Sequence, residues 1–335
     1  TALKTGSRRR GNLGCAAVVW VLSVLSVQSS AAALPRPSPA PFWNRPGFVP
    51  PRFTYAPYLQ DVSTSSLIVA FSTDVPTTAL VRVYEPPTAE EVEASQTQPR
   101  TPKAVFLSAT ALNHRVRLSG LRPGVRYTYV VAARRPGDPA GLEISTRDAE
   151  LSTAPLRGPF TFLVYGDNRD RDADHAAVVA AMSTEHADLI LQTGDMVSRA
   201  NDEGQWRRYF ATASPVTRST PLYPVLGNHE LRGEPDALHF HRLFTLPRSA
   251  PPLPQRRRPV YYGFRYSNAM FLALDGNSPY DNDQAAWLER TLHRVQSDTT
   301  LRHVFVFIHQ PPFAVGAYCG SERVARRLVP ILQRY

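Results

Sequence analysis

Four short stretches place metal-binding and proton-handling side chains directly behind apolar runs. They are "VYGDNR" (164–169), "LQTGDMV" (191–197), "YPVLGNHE" (223–230) and "FIHQPP" (307–312). Between them they supply Asp167, Asp195, Asn228, His229 and His309, with Arg169 and Glu230 alongside. Each stretch alone has a plain explanation: Gly227-Asn228 is a good turn dipeptide, an Asp after Gly can cap a helix, and a His before Pro-Pro makes a turn. Four such coincidences argue for a shared site. Carboxylate and amide oxygens suit hard cations, and imidazole shifts the preference toward Fe, Zn or Mn.

Whether these residues meet depends on the apolar runs that carry them. "FTFLVYGD" and "ADLILQTGD" have strand length, and "DADHAAVVAAMSTEH" between them has a helical period, which makes a β-α-β unit. "AMFLALDGN", the helix-like "DNDQAAWLERTLHRV" and "RHVFVFIHQPP" continue the pattern, predicting largely parallel or mixed sheets with helices on their faces. In open α/β sheets the carboxyl ends of the strands gather at one edge, where ligands bind. All the candidate residues follow such ends.

Upstream, from about Arg52 to Thr153, the rhythm is different. "SLIVAFST", "ALVRVYE", "HRVRLSG" and "VRYTYVVAA" alternate apolar with polar residues between Pro, Gly, Asp and Thr punctuation, the pattern of an antiparallel β-sandwich. "HRVRLSGLRPGVRYTYVV" resembles the penultimate turn and strand of fibronectin type III modules, which implies that Tyr127 packs back over the corner 121–124. The polar, proline-bearing residues 86–103 read as an exposed loop between strands.

The N-terminus reads as an export signal, residues 1–33. Lys4, Arg8, Arg9 and Arg10 precede an apolar stretch from Leu13 to Val27, and "SSAAALP" then offers a cleavage site near Ala33. The stretch is short of the ~20 residues that span a bilayer, a retained anchor being the alternative. Residues 34–51 hold seven prolines and form a stiff tether. The expected location is periplasmic or extracellular. With the signal removed Cys319 is the one thiol left, so stability comes from packing or bound metal. Part of the net charge of +10 leaves with the signal. The basic run 255–258 has no interleaved aromatics and reads as a solvated loop, so neither a nucleic-acid nor a stable membrane partner is expected.

The four strand-end motifs resemble the metallophosphoesterase (calcineurin-like) superfamily, whose pattern is GDx, GDxx, GNH[DE], a strand-end His and then GHxH. The first four stand here as "GDNR", "GDMV", "GNHE" and "FIHQPP", and the sandwich beginning "YAPYLQDVSTSSLIVAFST" is similar to the purple-acid-phosphatase-like branch. The resemblance covers about residues 52–335. It implies a multidomain chain: an N-terminal all-β, fibronectin III-like sandwich (52–153), then an α/β metallophosphoesterase domain of mixed sheets flanked by helices (160–335), C-terminally incomplete. It further implies two divalent or trivalent ions (Fe, Zn or Mn) ~3.5–4 Å apart, with hydroxide between them attacking a phosphoric ester in line. Asp195 would bridge the ions, Asp167 would bind the first, and Asn228 and His309 the second. His229 would hydrogen-bond the phosphoryl oxygen or protonate the leaving alkoxide. Phosphomonoesters are the leading substrate class, diesters and nucleotide-type pyrophosphates the alternatives, with residues 231–262 as the specificity segment. The other class of function is a secreted binding or structural protein carrying a degenerate phosphatase domain. Oligomeric state is not readable.

Three departures from the family pattern matter. Ser198 stands where purple members carry a metal-binding tyrosine, so a colourless protein is expected. The first motif reads Asp167-Asn168-Arg169 in place of Asp-x-His: Arg169 can neutralise phosphate, and His175 is either a further metal ligand or an ordinary helix-surface histidine. No GHxH occurs. The chain starts at Thr1 and stops in the helix-period "RRLVPILQRY", so the expectation is a fragment whose gene continues for roughly 50–100 residues to that motif, a length taken from ordinary domain size. On that view residues 1–335 alone hold two ions poorly and are nearly inactive; the alternative is that His239 or His241 substitutes.

Overall fold

A computed structural model of the chain describes residues 49–86, 100–138, 143–247, 260–316 and 319–335. The export signal, nearly all of the proline-rich tether, most of the loop 86–103, the basic run 255–258 and positions 248–259 of the specificity segment lie outside the described residues.

The N-terminal part is all-β: β1 (Phe53–Gln60), β2 (Ser66–Tyr84), β3 (Ala104–Ser119), β4 (Arg126–Arg134), β5 (Ile144–Ser145) and β6 (Ala149–Ser152), every pairing antiparallel. The long strand β2 makes the sandwich possible. Its first half pairs with β1 and the end of β3, its second half with β4 and the start of β3, and the register slips between Ser72 and Ala79. Pro76 lies in that slip; having no N–H to give a ladder, it favours a bulge, and a bulge bends the strand. Period-two alternation then turns Tyr127, Tyr129 and Val131 of β4 inward with Val69, Phe71 and Val81 of β2. Tyr127 is buried and its hydroxyl accepts the Arg122 N–H at 2.9 Å, closing the expected corner.

The α/β part follows. β7 (Phe162–Tyr165), α1 (Asp172–Met182), β8 (Leu189–Gln192), α2 (Glu203–Thr217) and β9 (Leu222–Pro224) build a parallel sheet ordered β7-β8-β9. After a 3-10 turn at His229–Leu231 and the short α3 (Leu238–Leu243), a second sheet forms from β10 (Tyr262–Tyr266), β11 (Ala269–Leu274) and β12 (His303–Ile308), with α4 (Asn282–Gln296) between the last two. β10 pairs antiparallel and β12 parallel to β11. α5 (Glu322–Arg327) and α6 (Val329–Arg334) close the described chain. The Asp202 side chain accepts the N–H of Gly204 and Gln205 at the start of α2, and Asp281 does the same for Asp283 and Gln284 at α4.

The sandwich and the α/β part belong to one compact unit, Val49–Tyr335. One apolar cluster runs from Leu59 and Phe71 through Leu191 and Tyr223 to Phe271 and Phe307. Tyr223 of the first sheet stacks on Phe264 of the second at 3.7 Å between ring centroids, and Phe162 meets Phe271 edge-on at 5.3 Å. Aromatic pairs of this kind add about 0.5–1.5 kcal/mol beyond their burial. Hydrogen bonds join the sandwich to the α/β part: Tyr58 Oη and Gln60 Nε2 donate to the Leu243 carbonyl in buried contacts, and Tyr129 Oη to that of Arg218. The platform under the strand ends is therefore shared by both parts.

Candidate metal centre

Strands of three to six residues end just before each candidate side chain, so loops must hold the site in place. The loops after β8 and β9 touch closely because both carry glycine. A Cβ at Gly194 would lie 2.8 Å from Gly227 Cα, and one at Gly227 would lie 2.3 Å from both Asp195 N and Asp195 Oδ1. Asp167, Arg169 and Asp195 take left-handed φ values of 57°, 49° and 55°, a conformation non-glycine residues adopt at a cost of ~1–2 kcal/mol each. Backbone bonds hold it: Asp167 N–H donates to the Gly194 carbonyl and Arg169 N–H to that of Asp195, both at 3.0 Å. Strain gathered at one spot marks a functional constraint.

Beneath these loops lies Glu230, fully buried. Its Oε2 accepts the N–H groups of Asp195 and Gly227, each at 2.8 Å, and its Oε1 those of Met196 at 2.7 Å and Val197 at 3.3 Å. Burial, and after it the Asp195 charge, push this carboxyl up to about 7, while the N–H donors work the other way. Glu230 thus ties the Asp195 loop to the Asn228 loop.

Asp195, 0% exposed, is the centre. Its Oδ1 accepts the His229 N–H at 3.0 Å and lies 3.3 Å from His309 Nε2, which is itself 3.1 Å from Asn228 Oδ1. His309 Nδ1 donates to the Thr193 carbonyl at 2.8 Å, so in the neutral ring Nε2 carries a lone pair. That lone pair then faces two oxygen acceptors, and a cation between them removes the repulsion. Their spacing suits one: ligand bonds of ~2.0–2.2 Å give ligand-to-ligand edges of about 3.0–3.5 Å. Asp167, with a side chain 61% exposed, brings a carboxylate oxygen into the same cluster, where Asp167, Asp195 and His309 offer ligand atoms within 4.8 Å of one another.

Arg169 also reaches the centre, but toward the carboxylates. Its Nη2 lies 2.9 Å from Asp195 Oδ2 and 3.0 Å from Asp167 Oδ1, and its Nε donates to Asp195 Oδ2 at 3.0 Å. Burial opposes its charge, but Asp195 and Asp167 outweigh that and raise the guanidinium further. His229 is buried, and its Nδ1 donates to the Ser198 carbonyl at 3.0 Å, which turns Nε2 toward Asp195 Oδ2 at 3.7 Å.

His175 is not brought to the cluster, nor does it lie on a helix surface. On α1 it shares a buried stripe with Val179 and Met182, spaced i, i+4, i+7, and its ring stacks between Tyr165 and Tyr209 at 5.9 and 5.1 Å. Burial lowers it to about 4. Both ring nitrogens of His239 are engaged, Nδ1 by Glu234 at 2.7 Å and Nε2 by Glu203 at 3.2 Å, and neither His239 nor His241 belongs to the ligand cluster. Sequence reasoning gave no role to Glu230 or to Asn277. Asn277 Nδ2 donates to the Leu226 and Gly227 carbonyls at 3.1 and 3.3 Å, and Gln310 Nε2 in turn donates to Asn277 Oδ1 at 2.8 Å. The available signal was "DGN" behind the apolar run of β11.

Comparison with known proteins agrees with this arrangement. The family model described as calcineurin-like phosphoesterase matches residues 160–335. Purple acid phosphatase 13 of Arabidopsis thaliana is 24% identical over 239 residues, which is 58% of this chain and 42% of that protein. Among solved structures, purple acid phosphatase PPD1 from yellow lupin (Lupinus luteus) seeds has a TM-score of 0.61 at 15% identity, covering 80% of this chain and 52% of that one. PhoD has a TM-score of 0.59 at 15% identity, covering 78% and 63%. The chain thus spans about half the length of the purple acid phosphatases it matches, and at these identities the structural likeness speaks for the fold.

Proposed function

Since the chain belongs to the calcineurin-like phosphoesterase family, we propose that it is a metal-dependent phosphoric ester hydrolase acting on phosphomonoesters. The observation that carries this reading is His309 Nε2 lying 3.3 Å from Asp195 Oδ1 and 3.1 Å from Asn228 Oδ1, a lone pair facing two oxygen acceptors that a cation would bring together. Those residues would hold an ion such as Fe, Zn or Mn. When bound, it supplies Lewis-acid charge for the phosphoryl oxygens and lowers the pKa of water. His229, fixed through Nδ1 on the Ser198 carbonyl, keeps Nε2 for a phosphoryl oxygen or for the proton that a leaving alkoxide needs. Arg169 keeps a positive charge beside the two carboxylates. A second ion would draw on Asp167 and Asp195 Oδ2, which Arg169 engages instead. Export through residues 1–33 is part of the same proposal; among the described residues no helix is long and apolar enough to cross a membrane.

The test is hydrolysis of p-nitrophenyl phosphate against bis(p-nitrophenyl) phosphate by the metal-loaded full-length protein. A kcat/KM at least about tenfold higher for the monoester is expected, with His229→Gln lowering kcat on the order of 10²–10⁴-fold at unchanged metal content. Preference for the diester would overturn the substrate class; failure of the metal-loaded protein on both would overturn the hydrolase reading.

A further inference from the structure

Asp195 presents its two carboxylate oxygens to different company. Oδ1 faces Asn228 and His309, whereas Oδ2 faces the guanidinium of Arg169, which also reaches Asp167 Oδ1. The oxygens on this second side are those left for a second metal ion, and one side chain grips both. We propose that Arg169 is a built-in cation: its guanidinium takes the place between Asp167 and Asp195 where a second ion would sit, so the site binds a single metal, at Asp195 Oδ1, Asn228 and His309.

Three features of the chain favour this over a guanidinium that has merely fallen into the site. First, the backbone aims it. Arg169 sits at a φ of 49°, its N–H is bonded to the Asp195 carbonyl at 3.0 Å, and the neighbouring Asn168 is buried with its Oδ1 accepting from Gln192 Nε2 at 3.2 Å. Second, the fork geometry is used: Nε and Nη2 both meet Asp195 Oδ2, and Nη2 also meets Asp167 Oδ1. Third, arginine stays charged at every pH a protein survives, so no proton loss vacates the position for a metal. Of the nearby imidazoles, His309 shares the 4.8 Å group with Asp167 and Asp195 but its Nε2 also lies 3.1 Å from Asn228 Oδ1, and His175 is buried between two tyrosines. Two carboxylates already bonded to a guanidinium are a poor match for a second dication, and a fixed positive charge beside the first ion suits the remaining negative charge of a phosphoryl group.

This inference rests on the proposed function only in requiring the first ion. The experiment is titration of the chelator-stripped full-length protein with Mn(II), following stoichiometry by calorimetry and the ion's surroundings by electron paramagnetic resonance. Wild type is expected to take up one equivalent with the signal of an isolated ion. Arg169→Ala and Arg169→Gln are expected to gain a second equivalent, bound at least tenfold more tightly than any second ion in wild type, with spin coupling between the two. Arg169→Lys, which keeps the charge, is expected to remain at one. Two coupled ions in wild type would overturn the built-in cation while leaving the hydrolase reading intact, and so would a single ion in folded Arg169→Ala and Arg169→Gln. No ion in wild type would overturn both.

Discussion

Replacing Glu230 by Gln keeps the shape of the side chain and removes half of its accepting capacity. In the protein each carboxylate oxygen accepts two backbone N–H groups, Oε2 those of Asp195 and Gly227 and Oε1 those of Met196 and Val197. A carboxamide oxygen can keep one pair; its NH2 then points at the donors of the other. Two bonds to a charged acceptor are worth about 1.5–3 kcal/mol each. Part of that loss is offset, because a neutral amide is easier to bury than a carboxylate. The net expectation is a loss of about 2–4 kcal/mol, or roughly 3–7 °C in Tm for a unit of this size. Because the freed N–H groups belong to the loops carrying Asp195 and Asn228, metal affinity should fall about 10–100-fold as well. Urea unfolding of the metal-free protein and calorimetric titration with Zn(II) measure the two effects separately. A variant within about 0.5 kcal/mol of wild type, the scatter of an ordinary surface change, and with unaltered affinity would refute the clamp.

Gly227→Ala should disable the site without replacing a ligand, since its Cβ would fall 2.3 Å from both Asp195 N and Asp195 Oδ1; metal uptake lost in a protein that still folds is the expected result, and normal uptake would show that the loops can separate. His175 makes stability fall in acid. Its folded value of about 4 lies below the usual 6.5, so between those limits the unfolded chain binds the extra proton; stability is complete above about pH 6.5, declines toward pH 4 by on the order of 2–3 kcal/mol, and His175→Phe should flatten that stretch of the stability profile. Ser198 offers no phenolate: its N–H donates to Gln205 Oε1 and its carbonyl accepts from His229, so Fe(III)-loaded protein should be colourless, and a visible charge-transfer band would contradict this.

The sequence made the elements legible where pattern and chemistry are local. Apolar runs ending in Gly-Asp or Gly-Asn located strand ends, the α4 segment showed its period in Ala285, Leu288 and Leu292, and the resemblance to fibronectin type III modules pointed to the Tyr127 corner. What stayed hidden depends on contacts between distant segments. Nothing in "GDNR" says that Arg169 folds back on Asp167 and Asp195, because a left-handed φ at a non-glycine residue is set by the loop it meets. His175 is neither a metal ligand nor on a helix surface, because its i, i+4, i+7 relation to Val179 and Met182, present in the sequence, places it inward. Nothing in "GNHE" gives Glu230 a partner, and only the approach of residues 194 and 227 shows how many N–H groups it must satisfy.

The central claim is that residues at four strand ends make a metal-dependent phosphoesterase site. The most direct measurement is phosphomonoester hydrolysis by the chelator-stripped full-length protein as Mn(II) or Zn(II) is added back, with Asn228→Ala/His309→Ala alongside. The account predicts no activity without metal, activity rising with occupancy of the site, and none in the double variant at any of these metal concentrations. Hydrolysis that survives chelation, or that the double variant retains at the wild-type rate, would contradict it.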